Sequence, residues 1–145
     1  MPRTQALQDW ITQLFPGQAP DLAPASADAS FRRYFRITLA DGSTRVIMDA
    51  PPEHEDCRPY LQVARLLDDA GVHVPRVFAE DLQQGFLLLS DLGNTTYLDA
   101  LKAHPDSAPA LYREASAALV TLQKASRPGV LPEYDRALLS RELQL

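Results

Sequence analysis

The sequence predicts an α+β fold, a small antiparallel sheet with helices followed by a purely helical stretch. Three observations predict it: an amphipathic stripe opens the chain, residues 31 to 49 alternate in two segments around a glycine turn, and helical apolar spacing dominates from Asn94 onward.

Residues 4 to 15 carry Leu7, Trp10, Ile11, Leu14 and Phe15, a stripe stopped by Pro16-Gly17, which is the pattern of a helix with one buried face. Asp21 to Ser30 is small and polar and reads as a loop. Phe31 to Leu39 then alternates, with Phe35, Ile37 and Leu39 on one face and Tyr34, Arg36 and Thr38 on the other. Asp41-Gly42 supplies a hairpin turn, and Thr44 to Asp49 returns as the second strand. Prolines and charges mark APPEHEDCRP as a loop, after which Tyr60, Val63, Ala64, Leu67 and Ala70 form a helix that Gly71 caps in the left-handed conformation. Val72 to Glu80 and Phe86 to Leu89 read as two short strands around Gln83-Gln84-Gly85, with Pro75 marking a strand beginning or an edge.

Ser90 to Asn94 breaks the pattern. Thr95 or Thr96 then caps a short helix bearing Leu98 and Leu101, and Ser107 caps a long one bearing Leu111, Tyr112, Ala115, Leu119 and Leu122. A last helix begins near Asp135 and is expected to be still running at Leu145. The expected organisation is therefore an α+β part over 1–89, a connector at 90–94, and a helical part over 95–145 that is cut short.

The 145 residues suffice for one core, and 46% hydrophobic with 23% charged residues is the balance of a folded globular domain. A net charge of -5 with scattered basic residues argues against a nucleic-acid partner, since binding driven by counterion release needs clustered cations. The lone Cys57 makes no internal disulfide, and His54, His73 and His104 have no structural-zinc spacing. No apolar run approaches the roughly 20 residues of a membrane span, and the first 17 residues lack the unbroken apolar core of a signal peptide. No membrane partner is expected, and the expected compartment is the cytoplasm.

One segment carries unusual chemistry. In Ser26-Ala27-Asp28-Ala29-Ser30-Phe31-Arg32-Arg33-Tyr34-Phe35-Arg36, small residues permit close backbone approach to an anion, hydroxyls add donors, and three arginines add charge and bidentate forks. The same residues also read as a polar turn entering a strand whose arginines are solvated, and the segment alone leaves both readings open. The triplets His54-Glu55-Asp56 and His104-Pro105-Asp106 both fail the spacing of a kinase catalytic loop, because Leu61 and Leu111 stand where that loop has asparagine. They read as solvated loops. Cys57 reads as a half-buried thiol, and Trp10 as core or interface.

Taken in order, SADASFRRYFR, the hairpin, MDAPPE with DCRP, LLDDAGVHVPRV and GFLLLSDLG resemble the N-terminal lobe of the aminoglycoside phosphotransferase-like kinases. Within that family they look most like the bacterial kinases that phosphorylate the anomeric hydroxyl of amino sugars in cell-wall recycling. The resemblance covers essentially the whole chain. It implies ATP and Mg2+ as cofactors, a small sugar as substrate, and a protein-kinase-like lobe followed by the first helices of a second lobe. It makes 90–94 the hinge, with the Ser90 carbonyl and Leu92 N–H meeting the adenine and with Leu89 and Ile47 sandwiching the ring. It places Ser26, Asp28, Ser30, Arg32 and Arg33 in the phosphate lid. The catalytic Asp and the magnesium ligands belong to the absent part of the second lobe, so the chain alone is expected to be inactive.

Two departures accompany the resemblance. Aligned with the kinase Val-Ala-Ile-Lys strand, Val46-Ile47-Met48-Asp49 puts an acid where the phosphate-pairing lysine stands, and Tyr60 to Val63 contains no partner glutamate. Arg32, Arg33 or Arg36 is then expected to make the phosphate contact. The alternative is a pseudokinase-like module that binds without catalysing.

Overall fold

The computed structural model describes residues 3–27 and 31–144. Helix α1 (Arg3–Leu14) leads into a five-stranded sheet of β1 (Ala23–Ala27), β2 (Arg33–Thr38), β3 (Thr44–Asp49), β4 (Val77–Asp81) and β5 (Phe86–Ser90), with α2 (Arg58–Asp69) between β3 and β4. The sheet order is β1-β2-β3-β5-β4, and every pairing is antiparallel. Three helices follow: α3 (Tyr97–Ala103), α4 (Ala108–Ala125) and α5 (Arg136–Glu142), with a single 3-10 turn at Pro105–Ser107.

The sheet is covered on both faces. Leu7, Trp10 and Ile11 of α1 pack on Ile37, Ile47, Phe86 and Leu88, and the Trp10 and Phe86 rings lie 5.6 Å apart. On the opposite face Met48, Leu87, Leu89 and Ala50 meet Cys57, Leu61 and Tyr60 of the α2 region. The two cores draw on alternate residues of the same strands, as a two-residue side-chain period requires.

The structure departs from the sequence expectation in three places. Residues 23–27 form an edge strand where a loop was expected. Proline at an edge costs no ladder hydrogen bond, and a five-residue strand of alanine, proline and serine shows no alternation to reveal it. The strand expected from Val72 begins only at Val77, beyond the proline. The last helix, expected to continue to Leu145, ends at Glu142 with Leu143 as its C-cap.

Of the two N-caps expected, that at Thr95 or Thr96 is found at Thr96 and that at Ser107 is not found. Thr96 accepts the Asp99 N–H at 3.1 Å, while Asp99 accepts both the N–H and the hydroxyl of Thr96, a reciprocal capping box. Asp135 caps α5 through the Leu138 N–H at 2.8 Å. Ser107 makes no cap; its hydroxyl donates instead to the His104 carbonyl at 2.7 Å. Gly85 is the one glycine held by close packing. At φ +70 a Cβ there would lie 1.9 Å from the Ala50 carbonyl oxygen, which the β4–β5 turn approaches as Ala50 N–H donates to Gly85 O at 2.9 Å.

Candidate functional site

The register of β3 decides which of its residues can meet a ligand. Val46 pairs with Leu89 and Met48 with Leu87, and these share a face with Tyr34 and Arg36 of β2. Ile47 and Asp49 point the other way, toward α1, and both are completely buried. The expected sandwich of Ile47 with Leu89 is therefore corrected. Residues one apart in register face opposite sides of a pleated sheet, and Val46 is the β3 residue beside Leu89. The same alternation places Asp49 outside the position of a phosphate-pairing lysine: Met48 occupies the α2 side, and Asp49 belongs to the α1 core.

Asp49 is neutralised there by two arginines from distant parts of the chain. Arg3 Nε donates to Oδ1 at 2.6 Å, and Arg33 donates to Oδ2 from Nε at 3.0 Å and also from its terminal nitrogen. Arg3 donates in addition to the Gln84 carbonyl at 2.6 Å and lies over the Phe86 ring. A carboxylate with 0% exposure is tolerable only with such pairing. Asp49 thus ties α1, through Arg3, and β2, through Arg33, to β3.

On the α2 face a cleft of about 460 Å³ opens beside the connector, lined by Tyr34, Arg36, Val46, Tyr60, Pro75, Leu89 and residues Ser90 to Thr96. Leu89, Ser90 and Leu92, three of the expected nucleotide contacts, are brought together here. Ser90 is also tied into the fold: Arg76 N–H donates to its hydroxyl at 2.9 Å, and its own N–H donates to the Arg76 carbonyl at 2.9 Å. Its side chain holds the segment before β4 against the connector.

Asp91 receives Arg36 in a two-pronged contact, 2.5 Å from Nε and 2.9 Å from the terminal nitrogen, and accepts the Gly93 N–H at 2.9 Å. The Arg36 hydrogen bond, against partial burial and with help from Gly93 N–H and Thr44, holds the Asp91 carboxyl well below its ordinary value.

A second hollow of about 320 Å³ shares Tyr60 and Pro75 with the cleft and is lined in addition by Arg32, Pro59, Val63 and Val74. Arg32 donates to Glu55 at 3.1 Å and has the Tyr34 hydroxyl as a further hydrogen-bonding neighbour. Burial, with Tyr34 nearby, pushes the Tyr60 hydroxyl above its ordinary value. Phe31 stacks on His54 at 4.3 Å, so the residues entering β2 rest on the loop before α2. Of the remaining expected lid residues, Ser26 enters through its backbone pairing with Tyr34, and Asp28 and Ser30 lie outside the described residues.

Cys57 is buried, and burial raises its thiol pKa, as expected of a packed cysteine. Among the described residues no three His, Cys, Asp or Glu side chains come together to hold a metal ion, and no helix is long and apolar enough to cross a membrane.

A five-stranded antiparallel sheet with a helix on each face, joined by a connector to further helices, is the arrangement of a protein-kinase-like N-terminal lobe. The chain belongs to APH, the phosphotransferase enzyme family, whose model matches residues 21–145. It is similar to the N-acetylmuramate/N-acetylglucosamine kinase of Pseudomonas aeruginosa, 54% identical over 99% of this chain and 44% of that protein. Proteins of the same name from Neisseria meningitidis serogroup B and Pseudomonas putida are 50% and 51% identical, covering 100% and 89% of this chain and 43% and 38% of theirs. The chain spans less than half the length of these curated relatives.

Proposed function

We propose that this chain is the ATP-binding N-terminal part of a cytoplasmic kinase that phosphorylates an amino sugar, N-acetylmuramate or N-acetylglucosamine, in cell-wall recycling. The observation that carries the reading is the cleft at the connector, set in a family lobe whose relatives bearing that kinase name match almost the entire chain. In it, the Ser90 carbonyl and Leu92 N–H offer the base an acceptor and a donor, and Val46 with Leu89 supplies the apolar wall. The phosphates run past Tyr34 and Tyr60 toward Arg32. Arg33 is committed to Asp49 on the α1 face of the sheet and makes no part of this cleft.

Arg32 with Glu55 takes the part that a strand lysine and a helix glutamate take in other kinases. The catalytic aspartate and the magnesium ligands lie, in this reading, in sequence outside the chain. Bound magnesium would neutralise the transferring phosphoryl group. The contribution of the residues described here is to bind and orient the nucleotide.

The test is ATP-dependent phosphorylation of both sugars by the full-length protein carrying this segment, as wild type and as Arg32→Ala. Turnover of one or both sugars, with kcat/KM for ATP lowered about 10- to 150-fold in the variant, supports the reading. Nucleotide binding without turnover would select the pseudokinase-like module, and ATP kinetics unchanged within twofold would return Arg32 to a structural role.

A further inference from the structure

Arg36 and Asp91 stand 55 residues apart, one on β2 and the other the first residue beyond β5. Their side chains are only 21% and 8% exposed. The contact is two-pronged and charge-assisted, unlike the single flexible contacts of most surface ion pairs. It is also bonded into the backbone beside it. Asp91 Oδ1 accepts the Gly93 N–H at 2.9 Å, and the Arg36 terminal nitrogen reaches the Gly93 carbonyl at 3.4 Å, so the pair grips both backbone polar groups of one residue, on the two peptide units that flank it. Gly93 holds φ +92, a left-handed conformation that glycine adopts freely and that needs a reason to be fixed. Between the two anchor points sits Leu92, 59% exposed, on the rim of the cleft.

We propose that Arg36 and Asp91 are a positioning pair that sets the connector backbone to receive the nucleotide base, so that ATP affinity, and not the phosphoryl-transfer step, depends on their contact. The proposal rests on the nucleotide reading of the cleft. A free chain segment containing a left-handed glycine samples many conformations. A peptide clamped at Asp91 and Gly93 presents the Leu92 N–H without the ordering cost that binding would otherwise carry. Neither side chain touches the transferring phosphoryl group in this arrangement, and neither is a catalytic residue.

The test uses the full-length protein with Arg36→Gln, Asp91→Asn, Arg36→Lys and the Arg36→Gln/Asp91→Asn double variant. The pair predicts KM for ATP raised about 10-fold in each of the Gln and Asn singles and no further in the double, with kcat and the sugar KM within twofold. Arg36→Lys, which keeps the charge and loses the fork, falls between wild type and the Gln variant. Backbone amide exchange in the absence of nucleotide reads the same clamp independently of activity: Leu92 and Gly93 exchange about 10-fold faster in Asp91→Asn, while Leu87 and Leu88 of β5 are unchanged.

If Asp91→Asn leaves both ATP KM and the Leu92–Gly93 exchange unchanged, the proposal is overturned, and a KM effect confined to Arg36 variants would show a direct ligand contact instead. Equal losses in kcat and in both KM values, with exchange raised throughout the sheet, would reduce the pair to a general stabiliser and overturn it too. Should the wild-type protein show no ATP-dependent turnover, the functional reading fails while the exchange experiment still decides the clamp.

Discussion

The sheet half and the helical half of the chain are held by different forces. Among the described residues, every buried side chain lies between Leu7 and Leu89, and α3, α4 and α5 bury none. In the first half α1 and α2 close over the sheet, and strand order is enforced by which residues fill each core. In the second half the helices rest on their own ladders and caps, with Leu98, Tyr112, Leu119 and Leu139 in solvent. Caps and propensity are enough to locate a helix, but burial is what makes a position costly to change.

Truncating a core aromatic tests that difference most directly. Phe86→Ala, which removes the ring between Trp10 and Arg3, is expected to cost about 3 to 5 kcal/mol in chemical denaturation. Asp49→Ala comes next, at about 3 kcal/mol, the low end for breaking a buried ion pair, because Arg3 and Arg33 keep partial access to water. If that variant melts like wild type, the two arginines do not need their carboxylate and the α1 face is held by apolar packing alone.

Gly85→Ala is expected to add a clash with the Ala50 carbonyl to left-handed backbone strain of about 1 to 3 kcal/mol, and the loss should exceed that of the same change at Gly42, which shares the strain at φ +81 but has no atom within 4 Å of the added Cβ. Equal melting temperatures for the two variants would deny the close approach of the β4–β5 turn to Ala50.

At the boundary between the halves the comparison can be sharpened by pH. The Asp91 carboxyl is held below its ordinary value of 3.8, so its contribution to stability is complete above that value and is lost as pH falls toward its folded-state value. Melting curves of wild type and Asp91→Asn should therefore differ at neutral pH and converge in acid. A gap that stays constant or widens on acidification would contradict the pairing with Arg36.

The smallest effect belongs to the helical half. Leu139→Ala should change stability within about 0.5 kcal/mol in this chain, and a loss of several times that would reveal burial that the structure does not contain.

Much of the fold was legible from the chain alone, because helix stripes, the Asp41-Gly42 turn and the Thr96 and Asp135 caps are local signals within a few residues of what they control. The family motifs were local as well, and the resemblance they carried matches the family to which the chain belongs. The edge strand at 23–27 was not legible, since its run of alanine, proline and serine carries no hydrophobic alternation.

Face and partner were decided only by the tertiary structure. One residue of register separates Ile47 from Val46, and that register depends on how β3 pairs with β2 and β5 at once. The ion pairs Arg3–Asp49, Arg33–Asp49 and Arg36–Asp91 join residues 46, 16 and 55 positions apart. No periodicity encodes such a separation. Residue types and spacings specify the elements because helices and strands are short-range structures, whereas the cleft is made of side chains that meet only after the sheet has closed and each face has found its helix.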